Sequence, residues 1–313
     1  MVAVILDCDP GHDDALAILL AAADPSLDLL AITTVAGNQT LDKCTLNARR
    51  VCTVAGITGV PIAAGADRPL RRPRRVAAHI HGESGLDGPA FGEPTVGVSD
   101  EPAVELMRGL LLDRPEPVTL VPTGPLTNIA TLLDRYPEVR EGIAEIVLMG
   151  GSTGRGNTSP YAEFNIAVDP EAAEIVFGSG LDVTMVGLNA THQALVTPDV
   201  VARIRAVGTD VADVCADLMT FYAAAYERVY GLPGPPLHDP MAVARVIDRS
   251  VVGCVPAPVR VETAGTYTSG ATAVDLHHVT GEPDNALVAV DVDVRRYFDL
   301  VVEAVTRVGL TQR

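Results

Sequence analysis

At 313 residues the chain is long enough for one large α/β domain or two small ones, and its 48% hydrophobic content predicts a sizeable core and argues against long disorder. Its 40 acidic residues against 23 basic ones give a formal net charge of −17. A surface that acidic repels phosphate backbones and anionic lipid, so nucleic-acid polymers and membranes are poor partners and a small neutral substrate or a cation fits better.

The first predicted element is a strand over 2–6, apolar on both faces as a strand covered on both sides must be. It runs straight into Asp7-Cys8-Asp9-Pro10-Gly11-His12-Asp13-Asp14. Carboxylates this crowded repel one another unless shared protons or a cation neutralise them, and a hard divalent metal with oxygen ligands is the economical explanation. Period-two spacing puts Asp7 and Asp9 on one face of the strand end. Pro10-Gly11 makes a turn, and Asp13-Asp14 opens a helix over 14–23, with acids where the helix dipole favours them.

Strands and helices then alternate: strand 29–35, helix 41–55, strand 60–64, helix 103–112, strand 118–122, helix 126–133, strand 145–149, helix 171–177 and strand 183–188. This rhythm predicts an α/β fold with a single open, mostly parallel central sheet and helices on both faces. Ligands bind such sheets beyond the carboxyl ends of the strands. Polar or glycine-rich segments follow several of those ends, namely the acidic cluster, Gly37-Asn38-Gln39, Thr123-Gly124-Pro125 and Gly150-Gly151-Ser152. Their convergence on one rim is the expected site.

Two stretches break the rhythm. Residues 65–101 are rich in Gly, Pro and Arg and read as a lid-like loop. Within them, Arg71-Arg72-Pro73-Arg74-Arg75 reads as a solvated loop, not a phosphate site. Residues 222–240 end a long helix and lead through a Pro-Gly-rich run to His238-Asp239-Pro240. Short strands with turns fill 260–293, and a helix over 296–308 closes the chain. With no repeats and no linker, residues 1–313 read as one domain. Cys8, Cys44, Cys52, Cys215 and Cys254 are odd in number and lack CxxC spacing, which predicts buried free thiols in a reducing compartment. No apolar run is long enough to span a bilayer and no leader pattern precedes the first strand, so a cytoplasmic protein is expected.

The octapeptide 7–14 resembles the signature of the inosine–uridine nucleoside hydrolase family. Further blocks agree: Ala36-Gly37-Asn38-Gln39-Thr40, His81-Gly82-Glu83-Ser84-Gly85-Leu86-Asp87-Gly88, Pro122-Thr123-Gly124-Pro125-Leu126-Thr127-Asn128, Val147-Leu148-Met149-Gly150-Gly151, Ala162-Glu163-Phe164-Asn165 and His238-Asp239-Pro240. The resemblance implies a calcium-dependent hydrolase that splits ribonucleosides into ribose and free base. It implies Ca²⁺ ligation by Asp9, Asp14, the Thr123 carbonyl and Asp239, with Asp9 as general base toward water. It implies a ribose shell of Asp13, Asn38, Asn157, Glu163 and Asn165, with Met149 and Phe164 as apolar walls. His238 is expected at the leaving base as its acid, and His81 in the loop is a second candidate. His12 is left without a role.

Tyr222, Tyr226 and Tyr230 share a helix face and read equally as core packing or as a base-facing surface, with Tyr226 the candidate contact. The chain has no Trp, so a tryptophan sandwich for purines is absent. Ser84–Pro89 and Tyr267-Thr268-Ser269-Gly270 look like bacterial pyrimidine-preferring members, which points to uridine and cytidine, with a broad inosine–uridine hydrolase as the alternative. A homodimer or homotetramer is expected on the resemblance alone. A haloacid-dehalogenase-type phosphatase also begins with a strand ending in Asp-x-Asp, but here Pro10-Gly11 follows and Lys43 is the only lysine. A nucleoside- or calcium-binding protein that has lost catalysis is the non-enzymatic alternative.

Overall fold

The structure, a computed structural model, describes residues 1–311. The chain begins β1 (Val2–Cys8), α1 (His12–Ala23), β2 (Leu27–Thr34), α2 (Leu41–Val54), β3 (Ile62–Ala64), α3 (Ala78–His81) and α4 (Ala103–Asp113). It continues β4 (Val118–Pro122), α5 (Thr127–Arg135), a 3-10 turn over Pro137–Gly142, β5 (Ile143–Met149), α6 (Phe164–Val168), α7 (Pro170–Phe177), β6 (Val183–Val186) and α8 (Leu188–Thr191). The last third holds α9 (Pro198–Arg205), α10 (Asp210–Tyr230), α11 (Asp239–Ile247), β7 (Val252–Ala257), β8 (Val259–Val261), β9 (Thr272–Val274), β10 (Ala286–Val292) and α12 (Val294–Thr311).

Eight strands form one sheet in the order β3-β2-β1-β4-β5-β6-β10-β7, and β8 pairs with β9 in a small separate hairpin. All neighbours in the large sheet run parallel except β7, which is antiparallel to β10. Alternate residues of β1 serve opposite cores. Val4, Leu6 and Cys8 pack with α1 and the long C-terminal helices, whereas Ala3 and Ile5 pack with α4, α5 and α7. That division explains why this strand is apolar at every position. Helix α1 is buried from His12 to Ala21, so it reads as a core helix and not as an amphipathic one. Burying side chains such as Leu16, Ile18 and Leu20 contributes about 1.5–3 kcal/mol each.

The chain winds outward from β1 through β2 to β3, then crosses back to β4 on the other side of β1. The crevice between the ends of β1 and β4 is therefore the switch point at which such sheets bind ligands. Asp7 pairs with Pro122 across this boundary, so Asp9 and Thr123 follow at nearly the same level.

Several predicted elements shift. The first helix begins at His12, which brings Asp13 and Asp14 into its first turn. The strand expected over 183–188 stops at Val186, and helix α8 takes over. Loop 65–101 contains α3. His238-Asp239-Pro240 is not loop: Asp239 opens α11, with Pro240 early in its first turn, where a missing N–H costs nothing. The arginine run is not wholly solvated, because Arg72 pairs with Glu171 at 2.9 Å and donates to the Thr263 carbonyl at 2.6 Å. The five thiols are free, and all but Cys254 are buried.

Candidate active site

Two helix N-termini, α1 and α11, deliver Asp13, Asp14 and Asp239 to the switch point, where each helix dipole favours negative charge. Carboxylate oxygens of these three residues all lie within 4.8 Å of one another, and all three are buried. Asp239 lies close enough to Asp13 and Asp14 for a proton to be shared between the carboxyls. Asp9 stands beside this trio, turned to accept the Asn38 N–H at 2.6 Å through Oδ2. Its other oxygen, Oδ1, is buried with no hydrogen-bond partner among the described residues. Asp14 is the best held: it accepts from Thr123 Oγ1 at 2.9 Å, Gly11 N at 2.9 Å and Asn38 Nδ2 at 3.2 Å.

Crowding and burial raise all four carboxyls. Burial pushes Asp9 and Asp239 well above the usual range, with neighbouring carboxylates adding to the effect. Asp13 rises to about 7, first through burial and then through Asp14, and Asp14 rises through burial. The orphaned Asp9 oxygen and three mutually repelling acids fit an oxygen-ligated divalent cation, and this cluster could hold one. Two glycines make room for Asp9: a Cβ on Gly37 would fall 2.0 Å from its Oδ2, and one on Gly124 would fall 2.6 Å from its Oδ1. Asp7 does not join the cluster. It lies on the opposite core, where Thr33 and Asn128 donate to its Oδ1 at 2.6 and 2.7 Å and burial raises it to about 7.

Above the acids opens a cavity of about 290 Å³. Asp13, Asn38, His81, Thr123, Met149 and Asn157 line it, as do Glu163, Phe164, Asn165, Tyr226, His238 and Asp239. Asp9 and Asp14 lie behind this lining. Asn165 Nδ2 donates to the carbonyls of Thr123 and Met149 at 2.7 and 3.1 Å, tying the ends of β4 and β5 to α6. Asn157 Oδ1 on the cavity wall and Asp7 Oδ2 away from it are further buried acceptors without a partner among the described residues.

Glu163 caps α6, accepting N–H groups from Asn165 at 2.8 Å, Ile166 at 3.1 Å and Gly151 at 3.0 Å. Burial outweighs these donors and lifts its carboxyl to about 6, so it is ionised at pH 8 and neutral at pH 5. The stability that this raised value contributes is complete below the unfolded value and is lost as pH rises through about 6. In Glu163→Gln the amide NH₂ faces a backbone N–H whichever way it is turned. The variant is expected to lose about 1–3 kcal/mol of stability, read by thermal unfolding at pH 8.

Sequence reasoning assigned no individual role to three participants, although it placed Tyr222 on the tyrosine face and singled out His12. Tyr222 hydroxyl lies 3.4 Å from Asp13 Oδ2 and 3.5 Å from Tyr226 hydroxyl. Thr191 Oγ1 is 2.7 Å from His238 Nδ1, while Tyr226 hydroxyl is 2.9 Å from His238 Nε2. Both ring nitrogens of His238 are thus occupied, and Tyr226 stands in front of it; burial holds the ring neutral by lowering its pKa well below the ordinary value. The third is His12, which touches His81. Thr191 follows β6 as the other polar segments follow their strands, so applying the strand-end rule to β6 would have flagged it.

The model of the inosine-uridine preferring nucleoside hydrolase family matches residues 4–299. The chain belongs to that family. It is a nucleoside hydrolase, an N-glycosyl hydrolase acting on ribonucleosides. The pyrimidine-specific ribonucleoside hydrolase RihA of Escherichia coli O7:K1 is 49% identical over 301 residues, covering 96% of this chain and 97% of the relative. A purine-preferring ribonucleoside hydrolase from Gardnerella vaginalis superposes with a TM-score of 0.92 at 34% identity, covering 98% of this chain and 99% of its own. A plant nucleoside hydrolase, PpNRh1, gives a TM-score of 0.90 at 32% identity, covering 97% and 99%. Among the described residues no helix is long and apolar enough to cross a membrane.

Proposed function

We propose that this hydrolase uses Ca²⁺ held by Asp9, Asp14, the Thr123 carbonyl and Asp239, and that it prefers uridine and cytidine. The observation that carries the reading is the orphaned Asp9 oxygen beside the acidic trio, beneath a cavity rimmed by hydroxyl-binding groups. All donors are oxygen, which suits a hard, high-coordination cation. Calcium, when bound, supplies positive charge that lowers the pKa of water at the site.

The chain's own residues do the rest. Asp9 Oδ1 accepts the proton of the attacking water. Asp13, Asn38, Asn157, Glu163 and Asn165 pair with the ribose hydroxyls. Ionised Glu163 and Asp13 also face the positive charge that develops on the sugar ring as the bond breaks. Met149 and Phe164 wall the sugar. Tyr226 donates a proton to the departing base, and neutral His238, with its own proton on Nε2, donates a hydrogen bond to the phenolate oxygen left behind, so the tyrosine stands between the histidine and the base and recovers its proton from solvent. His81 contacts the substrate from α3. The lid-like segment 65–101 covers the opening of a single domain spanning 1–313. Identity with pyrimidine-specific relatives and the lack of Trp support the base preference. The family resemblance supports a homodimer or homotetramer, which light scattering measures.

A kinetic panel of uridine, cytidine, inosine and adenosine, with p-nitrophenyl riboside as a substrate whose leaving group is already acidic, tests this reading. Uridine and cytidine are expected to give the highest kcat/KM. His238→Ala and Tyr226→Phe are each expected to lower kcat by about 10²-fold on the nucleosides and little on the nitrophenyl riboside. Equal losses on every substrate would remove the acid role, and a preference for inosine would remove the pyrimidine assignment.

A further inference from the structure

His12 is unused by this scheme, yet its ring is fully buried at the edge of the cavity wall. It stacks on three rings: Phe221 at 5.1 Å and Tyr222 at 5.3 Å, both from α10, and His81 at 5.4 Å from α3. Its Nε2 lies 2.8 Å from the Asp87 carbonyl. Its backbone N–H donates to His81 Nδ1 at 3.2 Å.

That last bond fixes the protonation of His81. A ring nitrogen that accepts an N–H carries no proton, so the His81 proton resides on Nε2. This nitrogen has no partner among the described residues, and His81 lines the cavity. A free N–H donor is therefore offered to substrate. A Cβ on Gly11 would fall 2.6 Å from His81 Nδ1, so the ring is seated directly against the α1 entrance.

The segment that carries His81 is a closed turn. Gly82 adopts φ +77°, a left-handed conformation in which a Cβ would also collide with the Asp87 carboxylate. That carboxylate accepts the N–H groups of Glu83 at 2.9 Å and Ser84 at 3.0 Å. The turn is internally braced, and His12 grips it at both ends: His81 at one, the Asp87 carbonyl at the other. Gln39 and Asn47 hold its middle through the carbonyls of Gly82 at 3.0 Å and Ser84 at 2.8 Å.

We propose that His12 is a positioning residue: its ring pins the 81–87 turn against α10 so that His81 presents Nε2–H to an acceptor oxygen of the bound nucleoside. The proposal rests on the nucleoside-hydrolase reading for its substrate, while the clamp itself can be measured without turnover. When the clamp is lost, the competent arrangement is populated for only a fraction of the time, and apparent affinity falls by that fraction.

The experiment compares His12→Phe, which keeps the stack but loses the donor, with His12→Gln, which restores a donor at the position of Nε2. His12→Phe is expected to raise KM for uridine ~10-fold with kcat within about twofold of wild type, a split that fits partial occupancy of the closed turn. His12→Gln is expected to recover most of that loss. Amide hydrogen exchange at Glu83 and Ser84 is expected to speed up in His12→Phe while the sheet amides keep their rates. The proposal is overturned if both variants lose kcat at unchanged KM, or if exchange at 83 and 84 does not change. If wild type releases no base from any nucleoside, the functional reading fails, and the exchange comparison still decides whether the clamp exists.

Discussion

Asp9→Asn is expected to lower kcat for uridine by about 10²–10⁴ at saturating Ca²⁺, the range associated with removing a positioned general base. The substitution is close to isosteric. Its carbonyl oxygen can accept the Asn38 N–H that Asp9 Oδ2 now accepts, and its NH₂ would take the place of Oδ1, which has no partner. Gly37 and Gly124 leave the same space for it. The fold is therefore expected to persist, and uridine binding by calorimetry to change far less than turnover. Saturating Ca²⁺ separates loss of the base from weakened ion binding. A kcat within tenfold of wild type would show that another group takes the water's proton.

Chelation is expected to abolish turnover and to lower thermal stability in a pH-dependent way. Without a cation the buried acids can relieve their repulsion only by taking up protons. Their folded values are raised, Asp13 to about 7 and Asp9 and Asp239 well above the ordinary range. Stability from protonation is thus complete at low pH and is lost as pH rises through those values. Bound calcium is expected to stabilise the folded state most where the acids are ionised. At a Ca²⁺ concentration one hundred times its Kd the gain is about 2.7 kcal/mol, on the order of 4 °C in Tm for a chain of this size. This shift is expected near pH 8 and should shrink toward pH 5. A shift equal at both pH values would mean that the ion binds elsewhere.

Much of this was legible because the strands are apolar on both faces and end abruptly in polar segments. Val4, Leu6 and Cys8 serve one core, and Ala3 and Ile5 serve the other, so β1 reads clearly as an interior strand. The rim that its end shares with β2, β4 and β5 followed from the same rule. Period-two reasoning misled at Asp7 and Asp9, because β1 ends at Cys8 and Asp9 already lies beyond the strand, at the start of the turn that Pro10-Gly11 continues. Asp7 stays with the strand and Asp9 leaves it. Tyrosine spacing identified a helix face but not what it faced. Packing of α10 against α9 and α12 as well as α3 and α1 sets its rotation, and through it Tyr222 meets Asp13 while Tyr226 meets His238. Helix α3 was hidden in a Gly- and Pro-rich segment because four residues carry no helical period. His12 and Thr191 contact neighbours distant in sequence, at 69 and 47 residues, which no local pattern records.

Calcium titration into metal-free protein at pH 8, followed by calorimetry and by ribose release from uridine on the same samples, tests the account most directly. One ion per chain is expected, with turnover appearing in step with occupancy and with both lost in Asp14→Asn and Asp239→Asn. Full turnover by ion-free protein, or ion binding that survives both substitutions, would contradict it.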